Sequence, residues 1–525
     1  MNTPTRALAC AVASLFACLA VDAGAVSLNP RGSGQVLLFP YYTANGGNQT
    51  LLTLVNSTDR AKALKVRFHE ARNGRAVYEL NLYLAAYDTW SAAVFASGTQ
   101  GVAKLASRDA SCTTGFPDTV ASGLRTAEFS ADAYRGANQD WNSAGTPAGE
   151  AERLAAPERT RDGYVEVIEM GELQAGTAPL QLAEEVDPAR FGFSCVDVQA
   201  AWAVSDANNW SDDPAQAIDL PRGGLFGNGA VIDVALGSMF TYNATALDDF
   251  YTYAAAPGAL NHAAGSGRPD LRDARNGVDF ARARPIGFAA SGVQEQFPLE
   301  RAIDAVSLAI LQETVSNEFL VDPALGSANE WVFSLPTRRF YSDVASDALV
   351  VPPFTDAFRD DGSGTEQLRV EYFDREARIP APPPATCDVT ACPPVTQRIP
   401  SLDDAVNVVV WALSPDTVFA PSPILGASFL ANAQLIRPVR VGNESFLSGR
   451  AFVTVDDPVS IATDHLLRVP NTGRAYVGLP VLGFAVTRIV NASASPGLLA
   501  NYGDAVEHAG GDVRSIVVPA TEGQP

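Results

Sequence analysis

The stretch from Leu64 to Leu84 constrains the fold more than any other part of the chain. Leu64, Val66 and Phe68 alternate with Lys65, Arg67 and His69. After Asn73-Gly74 the alternation returns, with Tyr78, Leu80, Leu82 and Leu84 set against Glu79, Asn81 and Tyr83. A period of two sends alternate side chains to opposite faces, so both segments read as strands with one apolar and one polar face. Asn-Gly between them is the signal for a two-residue type I′ hairpin turn. His69, Lys65 and Arg67 are expected on a solvated face. Strand-like segments at Val36–Tyr42, Thr50–Val55 and Asp88–Phe95 bring the count to five strands in about 60 residues, the spacing of an antiparallel immunoglobulin-like sandwich.

Further along, residues 106–160 lose periodicity and read as an irregular insertion, since ordinary connections run to about 4–6 residues. Strand pattern resumes at Gly163–Leu173, and Gly223–Tyr242 reads as a turn followed by two short strands. One helix is predicted at 298–316. Pro298 can take its first position, and Leu299, Ala302, Ile303, Val306 and Ile310 recur at helical spacing, flanked by Leu311 and Val315. Strands follow at Trp331–Tyr341, Leu368–Phe373, Val406–Leu413, Phe452–Val455, Arg474–Val477 and Val481–Val490. Residues 378–400 hold seven prolines and the pair Cys387/Cys392. They read as a stapled hairpin tip, with an interdomain linker as the alternative.

The chain is therefore expected to be mainly β, with sandwich domains, long loop insertions and one clear helix. Its 525 residues exceed what one core usually serves. The division is 1–25 leader, 26–105 first sandwich, 106–160 insertion, 161–377 second β-rich region, 378–400 Pro-rich stretch, 401–495 completing strands and 496–525 tail. The leader is read from Arg6, the apolar run Ala7–Val21 and the small-x-small pattern Ala23-Gly24-Ala25, which places the mature start near Val26 and implies export through the Sec pathway. No later segment offers 18 consecutive apolar residues, so no transmembrane span is expected in the mature chain.

Export gives the cysteines a meaning. Cys112, Cys195, Cys387 and Cys392 follow the leader, and an even count outside the cytoplasm reads as two disulfides with three possible connectivities. Cys387 and Cys392 bracket four residues and most naturally close on each other. Cys112 would then pair with Cys195, closing a loop of about 84 residues worth about 4 kcal/mol. The paired C-x2-C spacings of a thiolate metal site are absent.

A net charge of −22 argues against nucleic acid and anionic lipid, where affinity comes from Lys and Arg. No H-E-x-x-H or G-x-S-x-G motif occurs; Gly426-Ala427-Ser428-Phe429-Leu430 comes nearest and lacks the second glycine. Glu166 and Glu169, three apart on a strand, face opposite sides, which is wrong for a glycosidase pair. No cofactor is implied beyond structural calcium, for which Asp206, Asn208, Asp212 and Asp213, and separately Asp360 and Asp361, offer oxygen ligands; both groups miss the EF-hand template. Trp141, Trp202 and Trp210 in or near loops are the candidate ligand-binding aromatics.

Several blocks resemble a family of exported proteins of Gram-negative bacteria usually labelled only as cell-surface or hypothetical: GQVLLFPYYT (34–43), KVRFHEARNGR (65–75), TRDGYVEVIEMGEL (160–173), GGLFGNGAVIDV (223–234) and FSLPTRRFYSD (333–343). The resemblance implies an envelope or extracellular setting and a recurring Cys112/Cys195 pair, and it carries over no catalytic residue. The expected function is that of a non-enzymatic surface or extracellular protein. Its partners would be other envelope proteins or copies of itself. The alternatives are an adhesin or glycan-binding protein, stabilised by calcium, and a secreted hydrolase with a dispersed site.

Overall fold

In a computed structural model these segments form a mainly β protein of stacked sheets; among the described strand pairs all are antiparallel but Val410–Trp411 with Leu435–Ile436. The structure describes residues 24–96, 101–117, 123–131, 156–174, 195–287, 292–343, 352–358, 364–379, 401–412, 421–427, 435–436, 440–441, 444–455, 465–491, 495, 500–510 and 513–518.

The first sandwich is built around the expected hairpin. Leu64 pairs with Leu82, Val66 with Leu80 and Phe68 with Tyr78. The strand Asp162–Leu173 lies between Lys62–Glu70 and Val36–Thr43 at the centre of an eight-stranded sheet. A six-stranded sheet faces it, in the order Ser238–Asn243, Leu225–Asp233, Asn48–Asn56, Thr89–Ala96, Ala103–Ser107 and Arg125–Glu128. Leu37, Phe39, Leu54, Leu64, Val66, Phe68, Leu82 and Trp90 fill the space between them. The first sandwich therefore does not end at 105. Residues 162–248 complete it, and the expected insertion supplies two of its outer strands, Cys112–Thr114 and Arg125–Glu128. Strands of three and four residues carry too little alternation to be read in advance.

The turn also differs from the type I′ expectation. The strands stop at Glu70 and resume at Ala76. The buried Glu70 carboxylate accepts the backbone N–H groups of Arg72 (2.9 Å), Asn73 (3.1 Å) and Arg75 (2.9 Å). A five-residue loop presents three donors to one carboxylate, which a two-residue turn cannot. Gly74 has the positive φ of the loop, 70°, where a type I′ turn needs two.

The second sandwich packs a four-stranded sheet (Arg369–Asp374, Ser448–Thr454, Thr314–Leu320, Ala509–Gly510) on a five-stranded one (Leu435–Ile436, Val406–Trp411, Ser327–Ser334, Leu482–Ile489, Tyr502–Glu507). Phe319 stacks on Trp411 at 4.7 Å, and Trp331 lies 5.2 Å from Trp411. The opposite face of the five-stranded sheet, with Val332, Val408, Val410, Phe484 and Val486, packs against the first sandwich, where Phe484 stacks on Tyr242 at 4.8 Å. A sheet covered on both faces needs apolar side chains on both, hence the Val406–Trp411 run VNVVVW, apolar but for Asn407 and buried throughout.

Four expectations for this half change. The α-helix spans only Ala302–Ala309, after a 3₁₀ turn at Leu299–Arg301, and all eight of its residues are buried. Leu311 and Val315 fit the helical period but lie in the strands Leu311–Gln312 and Thr314–Leu320, where pairing with Leu479–Pro480 and Ser448–Thr454 overrides local pattern. The chain enters the Pro-rich stretch from the four-stranded sheet and leaves it into the five-stranded one. Among the described residues only Glu366-Gln367 and Ser401-Leu402 pair across its base, and the expected arms Leu368–Phe373 and Val406–Leu413 pair with other strands. Residues 380–400, with Cys387 and Cys392, lie outside the described residues. Finally, the 496–525 tail contributes Tyr502–Glu507 and Ser515–Val517 to sheets. Arg339–Ser342, expected as strand, is a helical turn after Ser327–Ser334.

Cys112 and Cys195 are disulfide-bonded, with their Cα atoms 5.2 Å apart. The bond ties the edge strand Cys112–Thr114 to the helix Cys195–Ala203.

Candidate functional site

The polar face of the founding hairpin is buried, not solvated. Residues 250–276 cover it: the carbonyl of Ala263 accepts from Lys65 Nζ (2.8 Å), that of Pro269 from Arg67 Nη2 (3.1 Å) and that of His262 from Asn81 Nδ2 (2.9 Å). Three neighbouring strands supply opposite charges at matching register. Glu166 and Glu79 both lie opposite Arg67, which donates to Glu166 Oε1 at 3.0 Å and to Glu79 Oε2 at 3.1 Å. Lys65 reaches Glu79 at 2.7 Å. Burial is tolerable because each cation meets a carboxylate and a carbonyl, so no isolated charge is left without water. Glu169, on the opposite side of its strand, accepts from Lys62 (2.6 Å) and the N–H of Gly223 (2.7 Å).

His69 closes this layer. Its ring stacks on Tyr164 at 4.6 Å, and Nδ1 lies 2.9 Å from the Gly74 carbonyl, which makes Nδ1 the protonated nitrogen. Nε2 faces Glu166 Oε2 at 3.9 Å, and neither atom has a hydrogen-bond partner. Burial, with Arg339 and Arg67 nearby, holds His69 well below its ordinary range, while burial pushes Glu166 up to about 7. Below that pH the proton resides on the Glu166 carboxyl.

Other carboxyls are raised by burial: Asp162 to about 8, Glu330 and Asp404 to about 7. His508 is lowered to about 4 by burial, with Nε2 2.9 Å from the Val332 carbonyl. His465 is buried, with Nδ1 2.9 Å from the Pro353 carbonyl. A raised carboxyl contributes stability that is complete below its unfolded value, about 4, and lost as pH rises through the folded one. The lowered histidines cost stability only as pH falls below about 6.5, and Lys65, lowered to about 8 by burial, acts in the opposite sense only above that. The melting temperature should therefore fall by several degrees between pH 6 and pH 8. A flat scan over that range would contradict sealed carboxyls.

The sequence candidates are distributed as follows. Trp210 is fully buried, stacks on Tyr83 at 5.8 Å and donates from Nε1 to the Gln216 carbonyl (2.7 Å). Trp202 donates to Tyr83 Oη (2.7 Å) and lies 5.4 Å from Trp210. Trp210 is thereby enclosed in the core, while Trp202 is half-buried with its N–H already engaged by Tyr83. In the 206–213 loop, Asp206 accepts the Asn208 N–H (2.9 Å), Asp212 accepts from Ser205, and Asp213 accepts the Ala215 N–H (3.1 Å). Among the described residues no group of three or more His, Cys, Asp or Glu is placed to hold a metal. Trp141, Asp360, Asp361 and Ser428 lie outside the described residues.

An accessible cleft opens at one end of the second sandwich, with a volume of about 670 Å³. Register builds it: Glu318 lies opposite Arg450, Thr487 opposite Asp504, and Ile489 opposite Tyr502. Gly449 allows its strand to close on Phe373, because a Cβ there would stand 1.8 Å from the Phe373 carbonyl oxygen. Tyr502 is 63% exposed, and Glu318, Arg450 and Asp504 are exposed around it. Arg450 Nη2 donates to Ser316 Oγ at 2.8 Å, which fixes its guanidinium at the rim. The cleft thus offers an aromatic face, a held guanidinium and carboxylates, chemistry suited to gripping a polar molecule. Sequence reasoning missed it, since Tyr502 and Asp504 fell in the presumed tail; the alternation in YGDAVE (502–507) was the available signal.

Comparison with protein-family models, curated proteins and solved structures finds no match to this chain.

Proposed function

We propose that this is an exported, non-enzymatic protein of the cell surface or extracellular medium, which holds a partner in the open cleft of the second sandwich. Its scaffold is read as immunoglobulin-like stacked sheets. One observation carries the reading: the division of chemistry between inside and outside. Among the described residues His69, His465, His508, Glu166, Glu330 and Asp162, groups fit for proton transfer, are sealed in packed layers and His262 is half-buried away from the cleft, while the cleft presents Tyr502, Arg450, Glu318 and Asp504. General acid–base work needs its groups within reach of substrate, and binding does not. No cofactor enters this reading.

The exposed ring of Tyr502 favours a glycan as the partner, since a sugar can lay its C–H face on the ring while its hydroxyls bond Arg450 and Asp504. Association through sheet edges is less favoured. The edge strand Arg369–Asp374 carries an Arg369–Glu371 ion pair on its exposed side, and charge on an edge discourages strand addition. Glycan-array binding by the purified protein should weaken about tenfold in Tyr502→Ala, the loss of one contact worth about 1.4 kcal/mol. Polymers in the ultracentrifuge, with no glycan retained, would favour edge assembly instead. Turnover of esters or glycosides would overturn the non-enzymatic reading.

A further inference from the structure

We infer that the exported chain is cut between Ala23 and Gly24, two residues before the position the small-residue pattern alone indicates, and that the new Gly24 ammonium is seated against the Asp249 carboxylate. The inference rests on the export reading and on how the first described residues are held.

Ala25 and Val26 are both 0% exposed. Val26 belongs to the core cluster that includes the buried helix Ala302–Ala309. Its N–H donates to the Arg282 carbonyl at 2.9 Å, and its own carbonyl accepts the Arg284 N–H at 2.9 Å. Ser27 and Leu28 then pair with Asp248 and Leu247. A cut before Val26 would take Ala25 out of the core. It would also leave an ammonium at a position with no water, facing a carbonyl. A desolvated cation without a counter-charge is strongly disfavoured.

Gly24 is different. It is half-buried, and a Cβ there would stand 2.9 Å from Thr252 Cγ2, 3.1 Å from Thr252 Oγ1 and 3.2 Å from the Asp249 carboxyl carbon. The Thr252 and Asp249 side chains thus close directly on Gly24, and any larger residue would have to push Thr252 aside, so Gly24 belongs to the folded body, whereas a peptidase reading small residues on either side places no such demand on the middle one. The Gly24 nitrogen shares that Cα and lies in the same neighbourhood as the carboxylate. Water adds across the Ala23–Gly24 peptide bond: its oxygen goes to the Ala23 carbonyl carbon, which leaves as a carboxylate with the leader, and the amine keeps the protons as an ammonium. Val21 and Ala23 then stand at the recognition positions.

The full chain, secreted from a Gram-negative host, should be sequenced from its N-terminus and weighed intact. Gly24 as first residue is the expected result. A start at Val26 or beyond overturns the inference and leaves export standing, whereas retention of Met1 overturns the export reading itself. The seat is tested by acylation of the α-amine at neutral pH. Asp249→Asn should react several-fold faster, because the ammonium loses the charge that keeps it protonated; an unchanged rate overturns the seat. Asn tolerates the left-handed backbone found at Asp249 (φ 54°), so this exchange changes charge without strain. Gly24→Ala, whose methyl would push the terminus away from Asp249, should give the same acceleration with the carboxylate intact.

Discussion

Arg67→Ala should lower the unfolding free energy by about 3–5 kcal/mol, the usual result of removing one partner from a buried ionic network. Arg67 is buried and spends its donors on Glu79, Glu166 and the Pro269 carbonyl. Without it the Glu79 carboxylate and the Glu166 carboxyl lose the guanidinium they share across three strands, and the covering segment 250–276 loses one of its polar anchors. Lysine would not restore the wild type, since one ammonium cannot reproduce a fork that serves three acceptors in different directions. Glu166→Gln should be mild below pH 7 by comparison. The Glu166 carboxyl is already protonated there, and a neutral amide of the same shape keeps an acceptor oxygen for Arg67. Urea titration of the three variants at pH 6 checks this. An Arg67→Ala variant within about 1 kcal/mol of wild type, the worth of an exposed pair, would mean that the layer is open to water.

The second large effect is expected at the disulfide. Replacing Cys112 and Cys195 with serine should cost about 4 kcal/mol, the loop-closure value for a separation of 83 residues. The loss is not only entropic. The bond holds the helix Cys195–Ala203, and through it Trp202, over Tyr83 and Trp210. Near-ultraviolet circular dichroism should therefore lose tryptophan signal in the double variant while the far-ultraviolet β signature persists. Thiol titration of the unreduced, unfolded protein that found Cys112 and Cys195 free would remove the basis of this prediction.

The founding hairpin was legible because its two strands are long and one face is wholly apolar. The same alternation did not tell what lay over the polar face. Lys65, Arg67 and His69 look like surface residues until Glu79 and Glu166 are placed beside them in register, and the cover comes from about 200 residues further on. The helix was overextended because Leu311 and Val315 satisfy a helical period by chance; pairing with strands near residues 450 and 480 decided their state. Trp202 and Trp210 were read as loop aromatics, but their indole N–H groups find acceptors inside the fold. The cleft was invisible, because its wall forms from segments more than 180 residues apart in the chain, Glu318 and Asp504 among them.

The five-stranded sheet has consequences for how the molecule comes into being. Its strands are drawn from residues between 327 and 507, yet one of its faces closes the N-terminal sandwich, with Phe484 lodged on Tyr242. On the export reading, the portion that crosses the membrane first stays unsealed until almost the last strand has emerged. Maturation then becomes a single late event rather than two successive ones. Splitting the gene between the sandwiches would yield two fragments, each missing a wall, and no autonomous module.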